Sequence, residues 1–469
     1  MRATRGIEDF PYGKAPFWLM LGAFGSLLLL VWVQLGQNAN RPDLVLELSA
    51  PNHVIAYRTV AERFEREHGV KVALQLVNPR ALTTRLQNSL LAGTEVPDLA
   101  ELPIDAMRYF GRGPLQDIGF VDLTERLATQ GYRARLVEAR LSPWSKSGHI
   151  FALPHDVHPV MLAYRADLVE ALGIDVEKLQ TWDDFVAVGQ RVTADLDGDG
   201  SIDRFMIDLP SGGSQGLSIV MLQRGLSLFD EHDNVTFNQP LTVDTIIWYL
   251  HQNYGEHRIA FDCGWGQPLA KAMADGLVLF YIQPDWRTHV TEMEAPKVAG
   301  KMKLMPLPAW EPGGRRTAVW GGSGLAITKR GKNPELAWQF AQELYFTRSE
   351  LGKRFLDTNI IPALKDAWDL PELNQPNAFF SGQRLGSLYA NLASQVPPLW
   401  SNPYTIIAEG KINEVLLRAL EHYKVQGDRG LKEFVAQELD EAEAYIHRQI
   451  DRNVLSKPAS SEQQAAARP

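Results

Sequence analysis

The chain has 469 residues, 45% hydrophobic and 22% charged, enough for two lobes of ordinary size with a core in each, so a globular fold is the default. Its 47 basic and 56 acidic residues leave a net charge of -9 with no dense Lys/Arg block to follow a phosphate backbone, which sets nucleic acid aside as an expected partner. The single cysteine, Cys263, excludes an intrachain disulfide and a cysteine-built zinc site; it reads as a small buried apolar side chain rather than a reactive thiol.

The first element is apolar. Ala15 to Val33 (APFWLMLGAFGSLLLLVWV) carries no charge, and as a helix it spans about 28 Å, close to the thickness of a bilayer's hydrocarbon. We expect a transmembrane signal anchor over residues 15–36. Arg2, Arg5 and Lys14 before it, against Glu8 and Asp9, place a cytoplasmic stub of residues 1–14 inside and everything after Gln34 outside. A cleaved signal peptide is the alternative; the length of the run and Gln37, three residues before a cut after Ala39, argue against it. No cysteine follows closely, so a lipoprotein anchor is not expected.

After a polar linker, LVLEL (Leu44 to Leu48) alternates like a half-buried strand. Tyr57, Ala61 and Phe64 then recur at helical spacing before Gly69, and VKVALQLV (Val70 to Val77) reads as a second strand. Strand, helix, strand predicts a βαβ unit and a largely parallel sheet with helices on both faces. The alternation continues along the chain, with helix starts at Thr181-Trp182-Asp183-Asp184 (a capping box) and at Asn333-Pro334. Trp182 and Trp338 sit on helical patterns and read as core. Only residues 456–469 (SKPASSEQQAAARP) read as a disordered tail.

DLDGDGSID (Asp195 to Asp203) has the spacing of a calcium loop: Asp195, Asp197 and Asp199 at positions 1, 3 and 5, Gly200 at 6, Ser201 offering its carbonyl at 7, Asp203 at 9. Position 12 is Met206 instead of a chelating Glu, and no flanking EF-hand helices are evident. The expectation is a structural Ca2+ brace; an acidic solvated turn is the alternative. Gly212-Gly213-Ser214-Gln215-Gly216 fits G-x-S-x-G, which raises a secreted hydrolase using Ser214, with Asp285 and His289 downstream, as an alternative function. Pro210-Ser211-Gly212 spoils the tight turn that such a nucleophile needs. VWGGSGLAI (Val319 to Ile327) lacks a phosphate-loop ending and reads as a hinge or strand crossing.

Taken in order, the opening strand with RTVAERFEREHGVKV, LLAGTEVPDL, GHIFALPHDVHPVMLAYRADL, TWDDF, LVLFYIQPDW, LMPLPAWEPGGRRTAVWGGSGLAITKRGKNPELAWQFAQEL and NIIPA resemble the family 1 extracellular solute-binding proteins of carbohydrate ABC importers over roughly Leu44 to Ile450. The resemblance implies an α/β fold, a two-lobed periplasmic-binding-protein clamshell with parallel-type sheets and several interlobe crossings, here preceded by one transmembrane helix. Lobe 1 is expected over residues 43–122 and 325–370, lobe 2 over 123–322 and 375–450. It also implies binding without catalysis, a mono- or oligosaccharide ligand, ABC permease subunits as partners, and a monomer.

Sugars present flat apolar faces ringed by hydroxyls, so a sugar cleft needs aromatic platforms beside fixed polar groups. Trp286 and Tyr164 fall where the family places stacking aromatics. Trp320 and Trp400 are further candidates, with Asp156, His158 and Asp285 for the polar edges and Asn52 in the loop after the first strand. Each also has a structural reading as core. A tethered ligand sensor is the other alternative, weakened by the short stub.

Overall fold

The computed structural model describes residues 14–39, 42–212 and 214–452, with side chains for all of these but 14, 29–39 and 214. Among them, twelve strands run β1 (Leu44–Leu48), β2 (Val72–Leu76), β3 (Leu99–Pro103), β4 (Ser145–Lys146), β5 (His149–Ile150), β6 (Leu153–Pro154), β7 (Val160–Arg165), β8 (Phe205–Asp208), β9 (Ala260–Phe261), β10 (Val278–Pro284), β11 (Met302–Pro306) and β12 (Ser323–Ile327). They form two five-stranded sheets, β2-β1-β3-β12-β6 and β11-β7-β10-β8-β9, and a small β4-β5 ribbon.

The first sheet begins as predicted. β1 pairs in parallel with β2 and β3, and the helix Pro51–His68 between β1 and β2 buries Tyr57, Val60, Ala61 and Phe64 before Gly69 closes it at φ 66. The sheets are mixed rather than largely parallel, because β12 returns antiparallel to β3 and β6 antiparallel to β12, while β7 lies antiparallel to both β10 and β11. Segments that come back from the other lobe enter from the opposite end and need no crossover helix. β1 is also buried almost throughout, Glu47 included, so its alternation did not mark a wet face; helices cover this sheet on both sides.

Strand β6 joins the first sheet although it lies beyond the expected lobe boundary at residue 122. Trp144, Phe151 and Ala152 share a cluster with Leu82, Leu86 and Leu102 of that lobe, so the stretch leading to residue 154 packs with lobe 1. The sheets meet where residues 155–160 and 318–323 run side by side, bridged at Pro159 and Val319, with Asp156 bridged to Pro362. Helices Thr405–Gln426 and Leu431–Asp451 pack on the cluster of the second sheet.

The capping box at Thr181 and Asp184 is complete, Asn333 caps the following proline-led helix, and Trp182, Trp338 and Cys263 are buried. The predicted anchor falls in the helix Lys14–Ala39. Among the described residues no helix is long and apolar enough to cross a membrane; the anchor's side chains beyond residue 28, the stub before it and the tail at 456–469 lie outside those described.

Candidate functional site

Strands β8, β9 and β10 run parallel, so their carboxyl ends open onto one side of the second sheet, where ligands of α/β folds bind. Asp208 ends β8, Asp262 to Trp265 follow β9, and Trp286 and Arg287 begin the helix Asp285–Glu294 after β10. Trp320, in the segment returning to the first sheet, completes the group. Together Asp208, Gln215, Asp262, Trp265, Arg287 and Trp320 line a cavity of about 450 Å³, a size ordinary for small-molecule sites.

Two tryptophans, Trp265 and Trp320, stand in its lining, and Trp286 packs against both. Trp265 and Trp286 lie nearly parallel, centroids 6.5 Å apart at 8°, and Trp320 meets both edge-on at 5.5 and 5.6 Å. The Trp286 indole N–H donates to the Trp320 carbonyl at 3.0 Å, which fixes the pair. The guanidinium of Arg287 lies 4.4 Å from the Trp265 ring and 5.6 Å from that of Trp320. Trp265 is 51% exposed, a large aromatic turned to solvent beside a cavity.

The polar residues expected at the cleft do other work. Asp156 accepts from Arg140 Nη2 at 2.9 Å and from the Ser323 N–H at 2.9 Å, and lies 3.1 Å from His158 Nε2. His158 reaches Asp285 through Nδ1 at 2.5 Å, and Asp285 further accepts the backbone N–H groups of Trp286 and Ile361, each at 2.8 Å. All three are buried. Both ring nitrogens of His158 and all four carboxylate oxygens are engaged, so these residues fasten the crossing between the lobes and present nothing to a ligand. Burial opposes charge on His158, but the two carboxylates overcome it and raise its pKa to about 9. His158 and its neighbours likewise hold Asp156 well below the usual carboxylate range against its burial.

Tyr164 is 6% exposed and stacks on Phe280 inside the second sheet, because its β7 position faces the core; it is no platform. Asn52 is exposed in the first turn of its helix and lines neither of the two cavities described here. Trp400 lines the other, of about 870 Å³, with Ser142, Ser145, Glu231 and Asp233. Trp265 and Arg287 were missed from sequence, although Trp265 follows a short strand and Arg287 adjoins Trp286; what brings them together is the β9-β8-β10 order, which single-chain patterns do not show.

Two groups of metal-ligating side chains converge among the described residues. In the loop, Asp195, Asp197 and Asp203 bring carboxylate oxygens within 4.8 Å of one another, whereas Asp199 and Ser201 are not in that group; Asp199 accepts the Ser201 N–H at 2.7 Å. Met206 is buried in β8 and adds no ligand. The other group, His53, Glu101 and His155, is buried; there Tyr57 and Tyr345 donate to Glu101 at 2.5 and 3.1 Å, and the Arg354 guanidinium, 4.8 Å from the Tyr57 ring, already supplies a cation. Of the alternative hydrolase site, Gly213 and the Ser214 side chain lie outside those described. Its expected partners are taken: Asp285 by His158, and His289 by Glu292 at 3.4 Å.

Two mixed α/β lobes with a cavity at the strand ends define a solute-binding protein of the clamshell type. The chain belongs to the bacterial extracellular solute-binding proteins, whose family model matches residues 59–381, more than half of it. It is similar to an arabinooligosaccharide-binding protein of Halalkalibacterium halodurans, 28% identical over 373 residues, covering 77% of this chain and 81% of the relative. One of the same description from Bacillus subtilis is 27% identical over 342 residues, covering 71% and 76%. Among solved structures it resembles the sugar-binding protein MalE of Xanthomonas citri, at a TM-score of 0.71 and 17% identity, over 87% of this chain and 99% of that one. The family binds and does not catalyse, so the chain is a binding protein and not an enzyme.

Proposed function

We propose that this protein binds a mono- or oligosaccharide outside the cytoplasmic membrane and delivers it to the permease subunits of an ABC importer, working as a monomer. The observation that carries this reading is the pair Trp265 and Trp320 in the lining of a cavity with charged and amide groups beside them, with Trp286 packed against both rings, the pairing of aromatic and hydrogen-bonding groups that sugars need. The arabinooligosaccharide-binding relatives support the same class of ligand. A thermal-shift and calorimetric panel of neutral sugars tests it: a cognate sugar raises the melting temperature by mass action. Failure of every sugar to bind would sink the reading.

The helix Lys14–Ala39 is the proposed membrane tether. In its described part Trp18, Leu19 and Phe24 are 59%, 74% and 62% exposed, apolar surface of the kind a lipid-facing helix presents. Fractionation tests this: the full chain sediments with membranes after a high-salt wash, and a chain starting at residue 40 stays soluble. Full-length chain in the soluble fraction would refute the tether.

The loop Asp195 to Asp203 is the proposed site of a structural calcium ion, with Asp195, Asp197 and Asp203 as its carboxylates and Asp199 and Ser201 drawn in on binding. The ion would offset the mutual repulsion of these acids and brace the approach to β8.

A further inference from the structure

Arg287 is a buried cation without an anion. It is 4% exposed, its Nη1 donates to the Ile282 carbonyl at 2.9 Å, and among the described residues it forms no ion pair within 4.0 Å, although Asp208 acts on it electrostatically from further off. A guanidinium has five donors, and removing it from water without a charged partner is costly. The rings of Trp265 and Trp320, 4.4 and 5.6 Å away, offset only part of that cost. The groups left to satisfy it are those of whatever enters the cavity that it lines.

An acid lining the same cavity and acting on Arg287 electrostatically is Asp208, 6% exposed, whose Oδ1 accepts the Cys263 N–H at 3.0 Å. Donor and acceptor thus face one space but stand too far apart to close an ion pair. A hydroxyl group both accepts and donates, so a single hydroxyl placed between them satisfies Arg287 and Asp208 together. A carboxylate satisfies Arg287 alone, and it meets two acids of its own sign, Asp208 and Asp262, against one cation in the lining.

We propose that Arg287 and Asp208 are the two halves of a polar clamp closed by one ligand hydroxyl, and that the cleft selects neutral saccharides and rejects uronates. The inference rests on the carbohydrate reading above and adds the charge class of the sugar and the two residues that set it.

Calorimetry on the purified full chain tests it with arabinotriose, maltotriose and trigalacturonate. The expected result is binding of at least one neutral trisaccharide with trigalacturonate weaker by about tenfold or more, and Arg287→Gln weakening the neutral sugar by about tenfold or more, the effect of one charged hydrogen bond. Asp208→Asn should narrow the gap between neutral and acidic sugar, and it reads the clamp even where Arg287→Gln fails to fold. Trigalacturonate binding more tightly than either neutral sugar overturns the proposal. So does a neutral sugar held as tightly by Arg287→Gln as by the native chain, while the carbohydrate reading stands. If none of the three binds and no sugar of the wider neutral panel binds either, the clamp falls together with that reading.

Discussion

His158 Nδ1 lies 2.5 Å from Asp285 Oδ1, a contact that ties the segment crossing between the sheets to the helix that carries Trp286 and Arg287. His158 holds a left-handed backbone at φ 54, uncommon for a residue with a side chain and tolerated where surrounding bonds dictate it. The same ring reaches Asp156 through Nε2 at 3.1 Å. One protonated imidazole therefore bridges two buried carboxylates from two parts of the fold, and Arg140 on Asp156 supplies the second positive charge.

That arrangement sets a pH dependence. The folded-state pKa of His158, about 9, exceeds the roughly 6.5 of an unfolded histidine, so its contribution to stability is complete below about pH 6.5 and is lost as pH rises through 9. Asp156, held low, contributes above the unfolded carboxylate range and loses that contribution as pH falls below it. His158→Gln should lower the melting temperature by about 5 °C or more at pH 6.5, with the penalty shrinking towards pH 10. Melting curves of both proteins across that range measure it, and a constant penalty would show that charge on the ring is not what stabilises the crossing.

The tryptophans separate binding from folding. Trp265→Ala removes a half-exposed ring and should cost about tenfold in sugar affinity with little change in melting temperature. Trp182→Ala empties a core position that is 2% exposed and should cost about 3–5 kcal/mol of stability. Calorimetry beside thermal melts distinguishes them; sugar affinity untouched by loss of Trp265 would remove it from the site.

Calcium should act on stability alone. The Asp195 carboxylate accepts the N–H groups of Gly198 and Gly200 at 2.7 and 2.8 Å, so the loop is shaped before any ion arrives. With three converging acids and no position-12 Glu, the expected affinity lies in the weak range of about 10⁻⁴–10⁻³ M. Millimolar calcium should raise the melting temperature of the native chain and not of Asp195→Asn, with chelator reversing the rise. Equal responses in the two proteins would mean that the loop is only an acidic turn.

Local signals carried the elements well and the site less so. The strand at Leu44, the helix ending at Gly69 and the Thr181 capping box are decided by residues within a few positions of one another, and they lie where the pattern put them. Strand direction in β7, β11 and β12 depends on which lobe the chain returns from, which no local pattern encodes. PHDVH looked like the polar edge of a cleft because its residues are the right chemical types. Whether a carboxylate faces a ligand or a buried imidazole is decided by Asp285, 127 residues from His158, and by Ser323. Trp286 was picked from its segment and packs beside Trp265 and Trp320, whereas Trp265 and Arg287 came into view as cavity lining only once β9 was seen beside β8.

Closure of the lobes has its own fastening, which yields the last prediction. Arg108, just after β3 on the first sheet, makes a two-pronged ion pair with Glu409 of the helix Thr405–Gln426, at 3.1 and 3.0 Å, and that helix packs on the second sheet's cluster. The pair spans the lobes; Arg108 is 7% exposed while the Glu409 side chain is partly exposed, and Arg108 also meets Asp105 at 3.1 Å, so the two-pronged geometry on a buried guanidinium, not full burial of both charges, is what holds it. A contact present only when the lobes are together shifts the population towards the closed form, as a ligand does. Burial raises the Glu409 pKa against the pull of Arg108, so the latch loosens on acidification at a higher pH than an ordinary glutamate would give. Glu409→Gln should enlarge the radius of gyration of the sugar-free protein and weaken sugar binding by about two- to tenfold through the added cost of closing. Scattering of native and variant chains, with and without saturating sugar, measures both quantities: the sugar-bound radii should coincide and the sugar-free ones should not. Identical sugar-free radii at neutral pH would mean that Arg108 and Glu409 follow closure without contributing to it.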